Sequence, residues 1–113
     1  MKIEGIWRIE MQGPYGWEST ATAFIADGIY RGASADHYTI GTYKEKDGKL
    51  VAKAVMTTHG KPGNRRPLFG RYDSSFRITY EGKVKGDKIA GRAIDTAAKY
   101  SVPFRATRIA DLN

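Results

Sequence analysis

The chain contains no cysteine, which removes disulfide frameworks, thiolate nucleophiles and cysteine-ligated zinc from consideration. That absence also fits a reducing compartment. No apolar run approaches the length of a helical membrane span, and Met1-Lys2-Ile3-Glu4-Gly5 does not open a basic-then-apolar leader. The expectation is a soluble, cytoplasmic protein with no membrane association. Histidine is scarce: His37 and His59 stand far apart in sequence, and a metal site needs more convergent ligands. No metal or other cofactor is expected. No nucleophile sits in a recognisable elbow, and Ser34, Asp36 and His37 are too close in sequence to form a working triad. The carboxylates are scattered, without the paired inward placement that glycoside chemistry requires. The glycines between Gly60 and Gly70 follow no phosphate-cradling pattern. No catalytic constellation assembles, so the chain reads as a non-enzyme.

What is present is punctuation. Asp27-Gly28, Asp47-Gly48 and Gly86-Asp87 each lie between stretches of alternating apolar and polar residues. Each offers residues that tolerate positive φ, as a tight β-hairpin needs. Across 113 residues, one domain's worth, the alternation predicts about eight strands: 5–12, 17–26, 29–34, 38–45, 49–58, 75–85, 88–95 and 102–109. Gly13 to Gly16 form a turn, residues 33–37 a connector with at most one helical turn, and residues 96–99 another connector. A long loop runs from His59 to Ser74, with two prolines and three glycines. The fold class expected is all-β: a single domain over residues 1–113, a small antiparallel eight-stranded up-and-down barrel. Closing the sheet hides every strand edge.

Two-residue turns also fix register. They set Ala23 opposite Gly32 and Ile25 opposite Tyr30. They set Tyr43 opposite Ala52 and Gly41 opposite Ala54, then Val84 opposite Ile89 and Gly82 opposite Gly91. Paired glycines inside strands mark a sharp bend or a close backbone approach. The inward face then carries Trp7, Ile9, Ala21, Ala23, Ile25, Tyr30, Tyr43, Ala52, Ala54 and Met56, with Gly32, Gly41 and Leu50. A barrel of eight strands is just wide enough to be filled by side chains or to hold one small ligand. The small inward residues favour some empty volume, and Trp7 with the tyrosines favours a filled interior; sequence leaves both open.

Net charge is +7, from 19 Lys and Arg against 12 Asp and Glu. Such a balance suits an acidic protein, an anionic ligand or nucleic acid. The charges fall at outward strand positions, at turns and in the long loop. Lys44, Glu45, Lys46 and Asp47 on one hairpin, and Lys61, Arg65 and Arg66 in the loop, are the candidate partner-binding residues. Phe69, Tyr72 and Phe76 near those arginines raise the question of single-stranded nucleic acid. A solvated loop anchored by its aromatics is favoured over direct nucleic-acid binding.

Gly5-Ile6-Trp7 resembles the opening of lipocalin-type barrels, in which the tryptophan closes one end beneath a basic residue of the last strand. Arg105 and Arg108 are the candidates for that cation–π partner. Further segments share an order and spacing: Ala26-Asp27-Gly28 with Arg31-Gly32, His37 through Tyr43, Pro62 with Leu68-Phe69-Gly70, Gly86-Asp87 with Ile89, and Phe104-Arg105-Ala106-Thr107. Together they make the chain, from Gly5 to Ile109, similar to the GrlR-like family of negative regulators of type III secretion. The resemblance implies a lipocalin-like barrel, a homodimer and an apolar cavity. In the family's namesake the barrel holds a DNA-binding transcriptional activator inactive, through an acidic loop between the fourth and fifth strands. Here that stretch is Lys44-Glu45-Lys46-Asp47-Gly48-Lys49, of mixed charge. The leading expectation is a regulatory barrel that acts by contact with a protein partner, with a small apolar ligand as a candidate modulator. The alternative is a carrier or sensor of a small hydrophobic ligand held in the barrel.

Overall fold

Period-two alternation becomes eight antiparallel strands in the computed structural model, which describes residues 3–13, 16–35, 37–59, 75–95 and 100–112. They are β1 (Gly5–Gly13), β2 (Gly16–Ala26), β3 (Ile29–Ala33), β4 (His37–Lys46), β5 (Lys49–Thr58), β6 (Ser75–Lys85), β7 (Lys88–Asp95) and β8 (Tyr100–Ala110). Each pairs with its sequence neighbours, and β8 returns to β1, so the sheet is a closed up-and-down barrel with no free edge. No described residue is helical, Ser34 and Ala35 of the expected connector included. The expected connections at 14–15, 60–74 and 96–99, and with them Lys61, Arg65 and Arg66, lie outside the described residues.

The turn chemistry acts as its residues require. Asp27 (φ 54°) with Gly28 (φ 77°), and Asp47 (φ 54°) with Gly48 (φ 78°), both carry two positive φ values, the type I′ geometry whose twist matches the flanking strands. At Gly86-Asp87 only the glycine is positive, with φ 58°, as in a type II′ turn. Every pairing expected from these turns is present, from Ala23 with Gly32 to Gly82 with Gly91. All three hairpins sit at one end of the barrel, beside residues 3–4 and 109–112.

Two irregularities flank the closing seam. Ile9 faces Ala21 while Glu10 faces Ser19, so Thr20 is the extra residue of a bulge, and its hydroxyl donates to the Ile9 carbonyl at 3.2 Å. Ile6 faces Ala110 while Trp7 faces Arg108, which makes Ile109 a second extra residue. Bulges bend and twist a strand locally, and here they lie on both flanks of β1, where the sheet meets itself.

The core interleaves small and large side chains around the barrel. One inward row reads Tyr43, Ala52, Tyr80, Ala93, Val102, and another Trp7, Ala23, Gly32, Thr39, Met56, Phe76. Each fully buried large apolar side chain contributes about 1.5–3 kcal/mol by leaving water. The inward glycines act differently from the small residues. A Cβ on Gly41 would strike the Lys53 carbonyl and Ala54, and one on Gly91 would strike the Glu81 carbonyl and Gly82. These positions let strands approach, and β6 stays paired to β7 through Gly82 and Gly91, so the barrel is closed there.

Candidate functional site

The inner face holds the residues expected to line either a ligand chamber or a filled core. Trp7, Ile9, Ala23, Ile25, Tyr30, Ala52 and Ala54 are buried there, and Ala21, Tyr43 and Met56 are partly buried against the same core. β6 to β8 add side chains that the sequence reading did not assign inward. Tyr80 lies 5.3 Å from Tyr30, and Phe104 stands edge-on to Tyr80 at 5.3 Å. These rings occupy the space opposite Ala52, Ala93, Gly41 and Gly91. Much of the room created by small residues is therefore taken by aromatics from neighbouring strands. The missed residues had a signal, since Ile78 and Tyr80 alternate with Arg77, Thr79 and Glu81.

Burial governs the chemistry of this layer. It raises the Tyr30 hydroxyl well above its ordinary pKa, aided by the neighbouring Tyr80 and by the hydrogen bond Tyr30 donates to it. Burial also raises Tyr80, although accepting that hydrogen bond works the other way. Both remain neutral phenols at physiological pH. Tyr43, nearer the hairpin end, is raised by burial as well, against the opposing pull of a hydrogen bond with the Gly28 backbone.

The hairpin end is plugged. Trp7 is fully buried and donates its Nε1–H to the Ile3 carbonyl at 2.9 Å. Arg108 lies over the indole, 4.7 Å from its centroid, and donates to the Asp87 carboxylate at 2.9 Å and to the Glu4 carbonyl. Of the two arginines considered for this place, Arg108 takes it. Arg105 covers Trp17 instead, at 4.2 Å, and pairs with Glu10 at 3.2 Å.

At the opposite end Ser34 Oγ and His37 Nδ1 are 2.8 Å apart, and His59 Nε2 lies 3.2 Å from the Ser34 carbonyl oxygen. The two histidines, distant in sequence, thus meet on one serine, because β3 feeds β4 there and β5 ends beside it. Asp36 lies outside the described residues. Among the described residues no group of three or more acidic or histidine side chains is placed to hold a metal ion.

The outer face carries the charge. Lys44, Lys46 and Asp47 are exposed on the β4–β5 hairpin and Glu45 is half-buried. Row by row, Lys46 faces Lys49, Lys49 faces Lys83, and in the next hairpin Lys85 faces Lys88. Beside them a shallow groove of about 400 Å³ follows the Gly82–Gly91 pairing, with Val51 and Ala90 among its lining. A second cleft, about 870 Å³, opens at the hairpin end between Glu4, Asp27, Asp87, Arg108 and Asp111. Both lie outside the lumen. No described helix is long and apolar enough to cross a membrane. No family model matches the chain.

Proposed function

We propose that the protein is a non-enzymatic regulatory β-barrel of the GrlR-like type, acting through protein–protein contact in the cytoplasm. By that resemblance its role is negative regulation of transcription, in the manner of type III secretion control, with a DNA-binding activator as partner. The observation that carries the contact reading is the β4–β5 hairpin. Lys44 and Lys46 project from a rigid closed barrel, and among the described residues no ion pair engages either. Exposed, uncompensated charge on a rigid turn guides encounter with a complementary surface and suppresses wrong pairings. A homodimer belongs to the same reading, with apolar area for it in the exposed cross-strand neighbours Ile40 and Val55.

Native mass spectrometry of the protein isolated from its own host tests this directly. The expected result is a complex with a second protein. Association of that partner should slow about tenfold in the Lys44→Glu, Lys46→Glu variant at low salt, the regime in which steering is strongest. A barrel that carries only a small molecule of a few hundred daltons would overturn the contact reading in favour of a carrier. Ala54→Phe, which would fill inward space, should then abolish that uptake.

A further inference from the structure

Lys46, Lys49 and Lys83 stand directly opposite one another in a single row across β4, β5 and β6, and Lys85 faces Lys88 in the adjoining hairpin. Like charges placed directly opposite in a sheet are destabilising. All five lysines are exposed, and among the described residues no ion pair relieves any of them. The fold thus holds a cost that an anionic partner would remove.

The groove beside that row has a floor of a different kind. Gly82 faces Gly91 and both turn toward the core, where a Cβ on Gly82 would meet Ile89 and Phe104, so on the outside this pair shows only its backbone. The outer surface sinks at this point to strand backbone, with Val51 and Ala90 alongside. Among the described residues its rim carries Lys49, Lys83 and Arg92, and one carboxylate, Glu81. Arg92 is held in place by Ser101 Oγ, which accepts from its Nε at 3.0 Å and from Nη2 at 2.9 Å.

We propose that this groove binds an acidic, extended segment of the partner protein. A small apolar side chain rests on Val51 and Ala90, and flanking carboxylates meet Lys49, Lys83 and Arg92. The proposal rests on the contact reading above and names its surface and the chemistry of the partner. Strand addition is excluded as the mode of binding, because the closed barrel offers no edge. Nucleic acid fits less well. A single strand also needs aromatic faces on which to stack its bases, and the exposed, described aromatics Trp17, Phe24, Tyr38 and Tyr100 all lie off the groove.

Fluorescence anisotropy on the intact protein tests this with two labelled probes, a twelve-residue alternating Glu-Val peptide and a twelve-nucleotide oligothymidylate. At about 50 mM salt, where exposed charges are weakly screened, the peptide should bind more tightly than the oligonucleotide. Lys49→Ser with Lys83→Ser should weaken the peptide roughly tenfold, two exposed charge contacts at the upper end of their usual worth. The same variant should keep a urea midpoint at or above the wild type, since it relieves the facing lysines. Arg8→Ser with Arg31→Ser removes equal charge from exposed positions off the groove and should change binding less than about twofold. Ala90→Gln leaves charge untouched, obstructs the floor and should weaken the peptide roughly tenfold. Equal losses in the two charge variants would reduce the effect to diffuse net charge and overturn the proposal. So would an oligonucleotide that binds more tightly than the peptide. A host partner that stays bound to the Lys49→Ser, Lys83→Ser variant would overturn the groove and leave the contact reading standing.

Discussion

Gly91 has no room for a β-carbon, whereas Gly32 has. The nearest atoms to a Cβ on Gly32 would be the Tyr30 hydroxyl at 3.5 Å and the Thr22 carbonyl at 3.6 Å, ordinary contacts. On Gly91 the obstacle is β6 backbone, which cannot swing aside. Gly91→Ala should therefore cost about 1–3 kcal/mol, as overpacking does. Gly32→Ala should be neutral or gain up to about 1 kcal/mol through the unfolded chain's lost freedom. Urea midpoints of the two variants check the contrast, and equal destabilisation would refute it. The pairing of Gly82 with Gly91 was legible from a two-residue turn and simple counting. Counting also puts Gly41 on the inner face opposite Ala54, but does not say how near β5 runs to it, because sequence gives the side of the sheet and not the distance between strands. Thr20, as a bulge, left no local signal at all, since nothing about a threonine distinguishes a paired from an unpaired position.

A single side chain ties separate elements together at the hairpin end. Arg108 of β8 reaches the β6–β7 turn through Asp87, the N-terminal segment through the Glu4 carbonyl, and β1 through the Trp7 ring. Its own backbone N–H donates to the Asp87 carbonyl at 2.8 Å. The guanidinium is planar and forked, which suits simultaneous ring contact and divergent hydrogen bonds, and an ammonium cannot reproduce both. Arg108→Ala should cost about 2 kcal/mol, allowing for the exposure of Asp87. Arg108→Lys should recover less than half of that. A full recovery by lysine, read in urea unfolding, would show that charge alone matters. The choice between Arg105 and Arg108 was decidable by parity, since Phe104, Ala106 and Arg108 share a face. Sequence alone leaves the pair open until the inward phase of β8 is known. The Ser34, His37 and His59 cluster was not legible in the same way, for it needs β3, β4 and β5 to be placed in space.

Closing the sheet puts Tyr30 and Tyr80 at the centre of the molecule, and their shared environment gives the whole barrel a dependence on alkali. Burial raises both hydroxyls above the ordinary value of 10.0. Below pH 10 the folded and unfolded chains hold the same phenolic protons, and the stabilisation is fully present. Above it the unfolded chain releases protons that the folded barrel retains, so stability falls as pH rises toward the folded-state values. The limiting slope is about 1.4 kcal/mol per pH unit for each tyrosine. The urea midpoint should thus be little affected by these phenols between pH 7 and 9 and decline above about pH 10. Tyr30→Phe with Tyr80→Phe removes both partners of the hydrogen bond together and should flatten the decline, while Tyr43 retains a smaller share of it. An unchanged slope in that variant would refute the account. The same titration reports on the interior as a whole. In a packed lumen, tyrosinate absorbance from this pair rises only with unfolding. Ionisation of the pair in a barrel that stays folded would mean that water reaches the core, and would move the molecule from a docking surface toward a container.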